Sequence, residues 1–207
     1  MTRLPDDYFD QLYSRAADPW DLGTRWYEQR KYAITLALLP RQQYRHAFEP
    51  GCSIGVLTAL LTERCASVTA TDVVPAALQS AQQRLDDVGR RNRVDFRQQS
   101  LDESWPPGPF DLLVLSEVGY YLAPGALRGI LDEECPRLSG ELLLQNKRLE
   151  PRKLKDLHRR LRESLLHDRG RPRSIGSMPD VSPKSGVFAA RTTGNRRIGR
   201  VMADQAD

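Results

Sequence analysis

Four stretches of the chain carry residue types that do chemistry, each where a strand gives way to a loop. The first is Glu49-Pro-Gly-Cys-Ser-Ile-Gly55, at the end of the first strand. Glycines at 51 and 55 allow a tight turn and let a ligand approach the main chain where a Cβ would collide. The helix that follows offers free N–H groups and the positive end of its dipole. The second is Asp72, which closes the next strand 17 residues after Gly55. A carboxylate there is placed to accept both ribose hydroxyls of an adenosine. The third, Gln98-Gln-Ser-Leu-Asp102, follows the third strand and would flank the adenine. The fourth, Ser116-Glu-Val-Gly-Tyr-Tyr121, follows the fourth strand and would lie beside the reacting end of the ligand.

The elements that must position these groups are legible from periodicity. Residues 6–17 read as a helix with Tyr8, Phe9, Leu12 and Tyr13 on its apolar side, ended by Asp18-Pro-Trp20. A second helix, from about 26 to 39, presents Tyr27, Ile34 and Leu38 on one face, with Pro40 just beyond it. Strand and helix then alternate: strands ending at Glu49, over 67–71, over 94–97, over 110–116 and over 141–145, with helices over 54–64, 75–88 and 123–134. The run Leu112-Leu-Val-Leu115 has the continuous apolar character of a central parallel strand buried on both faces. This alternation predicts an α/β fold, a Rossmann-like, doubly wound, mostly parallel sheet preceded by capping helices. A domain over 1–145 follows, with a helical cap over 1–40 and a core over 41–145.

Residues 146–207 break the pattern. They hold 16 Lys and Arg against 7 Asp and Glu, whereas the chain as a whole has a net charge of +4. Residues 151–168 fit a basic helix, 170–186 read as loop, and 186–190 and 198–202 are weak strand candidates whose place in the fold is doubtful. The abrupt change after about 145 has the character of a shifted reading frame, which reading the other frames of the encoding DNA would reveal. The overall balance, 40% hydrophobic and 28% charged, is that of an ordinary globular protein. No stretch is long and apolar enough to span a membrane, and the N-terminus lacks the apolar core of a signal peptide, so the expected location is cytoplasmic. Cys52, Cys65 and Cys135 lack CxxC spacing and a histidine cluster, so no metal site is expected.

Taken together, Glu49-x-Gly-x-Ser-x-Gly55, Asp72, Phe110-Asp-Leu-Leu-Val-Leu-Ser-Glu117 and Tyr120-Tyr121 resemble the class I S-adenosylmethionine-dependent methyltransferases. Within that class, Asp18-Pro-Trp20, Trp26-Tyr-Glu-x-Arg-Lys31 and Ser116-Glu-Val-x-Tyr-Tyr-Leu122 are similar to the nodulation-protein-S type. Those enzymes N-methylate the deacetylated amino sugar of a chitooligosaccharide. The resemblance covers about residues 6–145. It implies S-adenosyl-L-methionine as cofactor and a small-molecule or oligosaccharide amine as partner. It further implies that Glu49, Gly51, Ser53 and Gly55 hold the methionine part and Asp72 the ribose. Leu101 would touch adenine, Ser116 would stand at the cofactor, and Trp20, Arg30 and Lys31 would cap the site. Glu117 would orient the amine or take its proton, with Tyr120 and Tyr121 beside it. Ser53 replaces the middle glycine of the usual motif, and Gly119 stands where relatives carry a larger apolar residue.

Three other readings were open. Gly51-Cys-Ser-Ile-Gly55 matches the nucleophile elbow of serine hydrolases, but that fold needs several strands before the elbow and an Asp and His after it. The G-x-G-x-x-G of nicotinamide-binding dehydrogenases is absent. The basic C-terminal segment raises an RNA methyltransferase, or a non-catalytic or nucleic-acid-binding protein that retains the fold. Phe188 is the segment's single aromatic residue, which argues against a nucleic-acid partner.

Overall fold

The computed structural model describes residues 5–103, 105–134, 138–145, 187–193 and 196–202. Two helices open the chain, α1 (Asp6–Arg15) and α2 (Trp26–Ala37). The alternating part follows as β1 (Tyr44–Pro50), α3 (Val56–Leu61), β2 (Cys65–Asp72), α4 (Pro75–Asp87), β3 (Val94–Gln98), β4 (Leu112–Ser116), α5 (Pro124–Glu134) and β5 (Glu141–Gln145). Two further strands, β6 (Val187–Thr193) and β7 (Arg196–Met202), complete a seven-stranded sheet in the order β3-β2-β1-β4-β5-β6-β7. The first five strands run parallel, whereas β6 is antiparallel to both β5 and β7. The sheet therefore continues past residue 145, through the two segments whose strand character is faint in the sequence.

The apolar run of β4 is divided between two layers. Leu112 and Val114 pack with Val68, Leu61 and Leu85 beneath α3 and α4, while Leu113 and Leu115 face Phe48, Leu127 and Leu131 on the side of α5. Alternate side chains of a strand point to opposite faces, so an unbroken apolar run is what two covered faces require. Each such side chain contributes about 1.5–3 kcal/mol by leaving water. Because β1 lies between β2 and β4, the loops after these three strands emerge side by side, which is where the chemistry-bearing residues must meet.

Tyr13 and Arg64 are two of the ties that fix the helical cap to this core. Tyr13 packs with Ile54, Val74 and Ala77, so α1 lies over the turns that follow β1 and β2. At the far end of α2 the Arg64 guanidinium donates to the carbonyls of Leu36 (3.0 Å), Leu39 (3.3 Å), Arg41 and Gln42 (2.8 Å). These carbonyls belong to a helix end and the loop after it, and Arg64 supplies donors that the backbone there lacks. Arg64→Met is expected to lower stability by about 2 kcal/mol, since part-buried acceptors lose a charged donor. A reduced urea midpoint with an unchanged slope would show it.

The buried side of α2 differs from the sequence expectation. Tyr27, Ile34 and Leu38 are half-buried, and the buried positions are Glu28, Lys31, Tyr32 and Thr35. Trp26, at the start of the helix, is 73% exposed. The charged pair is buried because it faces a cavity rather than the core, as the site geometry shows.

Candidate functional site

The loops after β1, β2, β3 and β4, roofed by the N-terminal helices, enclose a cavity of about 370 Å³. Its floor is the turn after β1. Gly51 has φ +71°, and a Cβ there would sit 2.3 Å from Val118 Cγ1, so only glycine lets this turn close against the loop after β4. Gly55 also has φ +73° but plays a different part. A Cβ on it would lie 2.8 Å from that of Ala81, so it seats α3 against α4 and does not line the cavity.

Among the described residues three non-glycines have left-handed φ: Asp21 (55°), Ser53 (52°) and Glu117 (59°), and all three line the cavity. Such backbone costs a non-glycine residue on the order of 1–2 kcal/mol. The surrounding contacts hold it in place. Ser53 donates its N–H to Asp72 Oδ2 (2.8 Å), and its Oγ shares a hydrogen bond of 2.5 Å with the Tyr13 hydroxyl. Asp72 Oδ1 accepts from the Val74 N–H at 3.0 Å. One carboxylate thus ties the turn after β1 to the turn after β2. Burial pushes the Asp72 carboxyl above the ordinary range, with the Val74 and Ser53 N–H groups pulling the other way.

Glu49 lies deeper. It is 3% exposed and accepts from the Thr58 hydroxyl at 2.7 Å. Burial pushes its carboxyl up to about 8, the Thr58 hydrogen bond lowers it, and the charge of Asp72 raises it further. Glu117, half-buried, lines the same cavity with Ser116 and Tyr121. Lys31 reaches in from α2, pairing with Glu28 and lying 3.5 Å from Glu117 Oε1. Tyr32 joins this group, and burial together with the charges of Glu28, Glu49 and Glu117 drives its hydroxyl well above the usual phenol value. It therefore keeps its proton and remains a donor. Acidic groups outnumber basic ones around the cavity, which suits a cationic ligand.

The roof is α1 and the loop after it. Phe9 meets Tyr121 edge to face at 4.9 Å, and Tyr13 meets Trp20 the same way at 5.5 Å. Asp18 shapes the loop by accepting from the N–H groups of Leu22 and Gly23, both at 2.9 Å. Trp20 and Leu101 give the cavity apolar wall. Arg30, in contrast, is half-buried on α2 and does not line the cavity; its neighbour Lys31 takes that place. Tyr120 belongs to the short helical turn Gly119–Tyr121, and its side chain lies outside the described residues. Tyr13 escapes a motif search, and the sequence gives no role to Glu28, inside Trp26-Tyr-Glu-x-Arg-Lys31, or to Tyr32. The signal for the last two was their i, i+4 spacing on α2 with Lys31 between them.

Around this geometry the serine of Gly51-Cys-Ser-Ile-Gly55 has a tyrosine and an aspartate-bound N–H for company, and among the described residues no histidine lines the cavity. Among the described residues a hydrolase triad is not assembled. The model of the family described as Nodulation protein S (NodS) matches residues 7–134. The chain belongs to the NodS family. Nodulation protein S of Sinorhizobium fredii is 36% identical over 110 residues, covering 52% of this chain and 49% of that protein. The Rhizobium tropici protein is likewise 36% identical, over 123 residues, 56% of this chain and 49% of its own. This NodS-family chain thus spans about half the length of the nodulation proteins it matches. The crystal structure of the N-methyltransferase NodS from Bradyrhizobium japonicum in complex with S-adenosyl-L-homocysteine superposes with a TM-score of 0.63 at 25% identity, covering 74% of this chain and 84% of that one. A candidate methyltransferase from Pseudomonas syringae is 42% identical with a TM-score of 0.55, covering 67% and 86%. The NodS-family chain has the class I methyltransferase fold, a Rossmann-like α/β sheet with its cavity at the carboxyl ends of the strands.

Proposed function

We propose that this chain is an S-adenosylmethionine-dependent N-methyltransferase acting on the amine of an amino sugar, an oligosaccharide of the chitooligosaccharide type or another small amine. The observation that carries the reading is the convergence of Glu49, Asp72 and Glu117, from the ends of three adjacent parallel strands, on a single cavity. The residues fit the cofactor. Asp72 would hold the two ribose hydroxyls, Leu101 the adenine, and Glu49 with the turn at Gly51 and Ser53 the charged methionine end. When bound, S-adenosylmethionine supplies the methyl group and, as a sulfonium, its own leaving group.

The protein's part is then mainly placement and charge. An amine can attack only when unprotonated, so a carboxylate at the acceptor end that receives its proton makes the nucleophile. Glu117, which lines the cavity on a strained backbone, would take that role. Phe9 and Tyr121, which touch each other on the cavity's lining, would help exclude water from the reacting pair. The N-methyltransferase named in the Bradyrhizobium japonicum structure supports an amine as acceptor, and the cavity's acidic lining supports a basic one.

The test is a calorimetric titration with S-adenosyl-L-homocysteine, followed by incubation with S-adenosylmethionine and a chitooligosaccharide deacetylated on one sugar. The expected result is saturable binding and a mass gain of one methyl on the free amine. Wild-type protein that binds no S-adenosylhomocysteine would sink the reading. Binding without transfer to this acceptor, but with transfer to another amine, would correct the substrate alone.

A further inference from the structure

Lys31 brings a positive charge to the acceptor end of the cavity, in the place where an arriving amine would need to meet Glu117. Lys31 and Glu28 stand one turn apart on α2, and both are buried, with side chains 8% and 7% exposed. The Lys31 Nζ makes a close ion pair with Glu28 Oε2 and a longer contact, 3.5 Å, with Glu117 Oε1. It also lies 5.3 Å from the centre of the Tyr32 ring. Glu28 therefore holds the ammonium at the outer limit of hydrogen-bonding distance from Glu117. An ammonium so little exposed depends on its carboxylate partners, so if the nearer one were neutral it would close on the other. A lysine ammonium and an acceptor amine are N–H donors of the same kind, and both would use the Glu117 carboxylate.

We propose that Glu28 is a positioning residue: it tethers Lys31 and so prevents the lysine ammonium from competing with the acceptor amine for Glu117. The inference rests on the reading of Glu117 as the group that meets the amine. It assigns Lys31 the part of a guarded cation and Glu28 the part of its guard. Lys31 meets Glu28, Glu117 and Tyr32 at the acceptor end, so a change at Glu28 should act there and leave the binding of S-adenosylhomocysteine nearly unchanged.

The decisive comparison is wild type, Glu28→Gln, Lys31→Met and the double variant. KM and kcat are measured for the singly deacetylated chitooligosaccharide, and affinity for S-adenosylhomocysteine is measured by calorimetry. Glu28→Gln should raise the acceptor KM about tenfold, a typical coupling for charges in contact, and leave the S-adenosylhomocysteine affinity within about twofold. Adding Lys31→Met to Glu28→Gln should return KM most of the way to wild type, because the competing cation is gone. A purely structural Glu28 predicts the opposite, a double variant as poor as the single or poorer. The idea is overturned by an unchanged KM in Glu28→Gln, by failure of Lys31→Met to rescue it, or by a parallel loss of S-adenosylhomocysteine binding. Should Glu28→Gln not fold, Glu28→Asp, with its shorter tether, should show a smaller rise in KM that Lys31→Met again removes. A wild type that methylates no amine defeats the proposed function as well; one that methylates the amine without showing the rescue defeats this inference alone.

Discussion

Asp72→Ala is expected to weaken binding of S-adenosylhomocysteine by about 100-fold or more. A hydrogen bond to a charged group is worth roughly 1.5–3 kcal/mol, and a carboxylate that accepts two ribose hydroxyls loses two of them. The empty protein suffers as well. Asp72 Oδ2 receives the Ser53 N–H and Oδ1 the Val74 N–H, so the variant leaves both donors without their acceptor and frees the left-handed turn at Ser53. The melting temperature should therefore fall in the absence of ligand, and S-adenosylhomocysteine should no longer raise it. Asp72→Asn sharpens the test. Its side chain has nearly the same shape but offers one acceptor oxygen, and its NH₂ must face one of the two N–H donors. It should bind little better than the alanine variant. Near wild-type affinity in Asp72→Asn would mean that the carboxylate serves the turn and not the ligand.

Asp72 also shows how far the sequence was legible. Its type and its distance from Gly55 mark it before any fold is known, because a strand end is a narrow address in a parallel sheet. The same holds for Glu49 and Gly51 at the end of β1 and for Ser116 and Glu117 after the apolar run of β4. The five parallel strands were legible for the same reason. The roles within the turn were not. Gly55 looks like Gly51 in the sequence, yet one faces Ala81 of α4 and the other Val118 beside the cavity. Which neighbour a glycine meets depends on packing between elements that are far apart in the chain.

The helical cap was legible as helices and illegible as a roof. A charged pair such as Glu28 and Lys31 reads as solvent-facing, since those residue types are almost never buried without a partner. Here each is the other's partner, and the apolar positions Tyr27, Ile34 and Leu38 are left half-buried. Periodicity locates the apolar stripe and is blind to a buried ion pair. Arg30 shows the cost of this: one position along a helix is a turn of 100°, enough to move it off the cavity wall that Lys31 reaches. β6 and β7 were faint because Arg191, Arg196, Arg197 and Arg200 interrupt any alternation of apolar and polar residues.

Glu49 carries the second large effect, a dependence of ligand affinity on pH. With its carboxyl pushed up to about 8 by burial, Glu49 is protonated in the empty protein at neutral pH. The unfolded chain would ionise it near the ordinary Glu value, so between that value and about 8 the native state binds the extra proton. Its stability therefore falls as pH rises through this window and levels off above it. Binding works in the opposite sense. A cationic ligand end beside Glu49 favours the carboxylate, so binding below pH 8 must expel the proton. Affinity should then rise with pH by up to about tenfold per unit below 8, and flatten above it. Titrations between pH 6 and 9 in buffers of different ionisation enthalpy would read both the slope and the proton released. Glu49→Gln should remove both, lowering affinity most at high pH, where the wild type holds the carboxylate. A slope that persists in Glu49→Gln would place the proton elsewhere, with Asp72 the next candidate, since its carboxyl too is raised by burial in the same cavity.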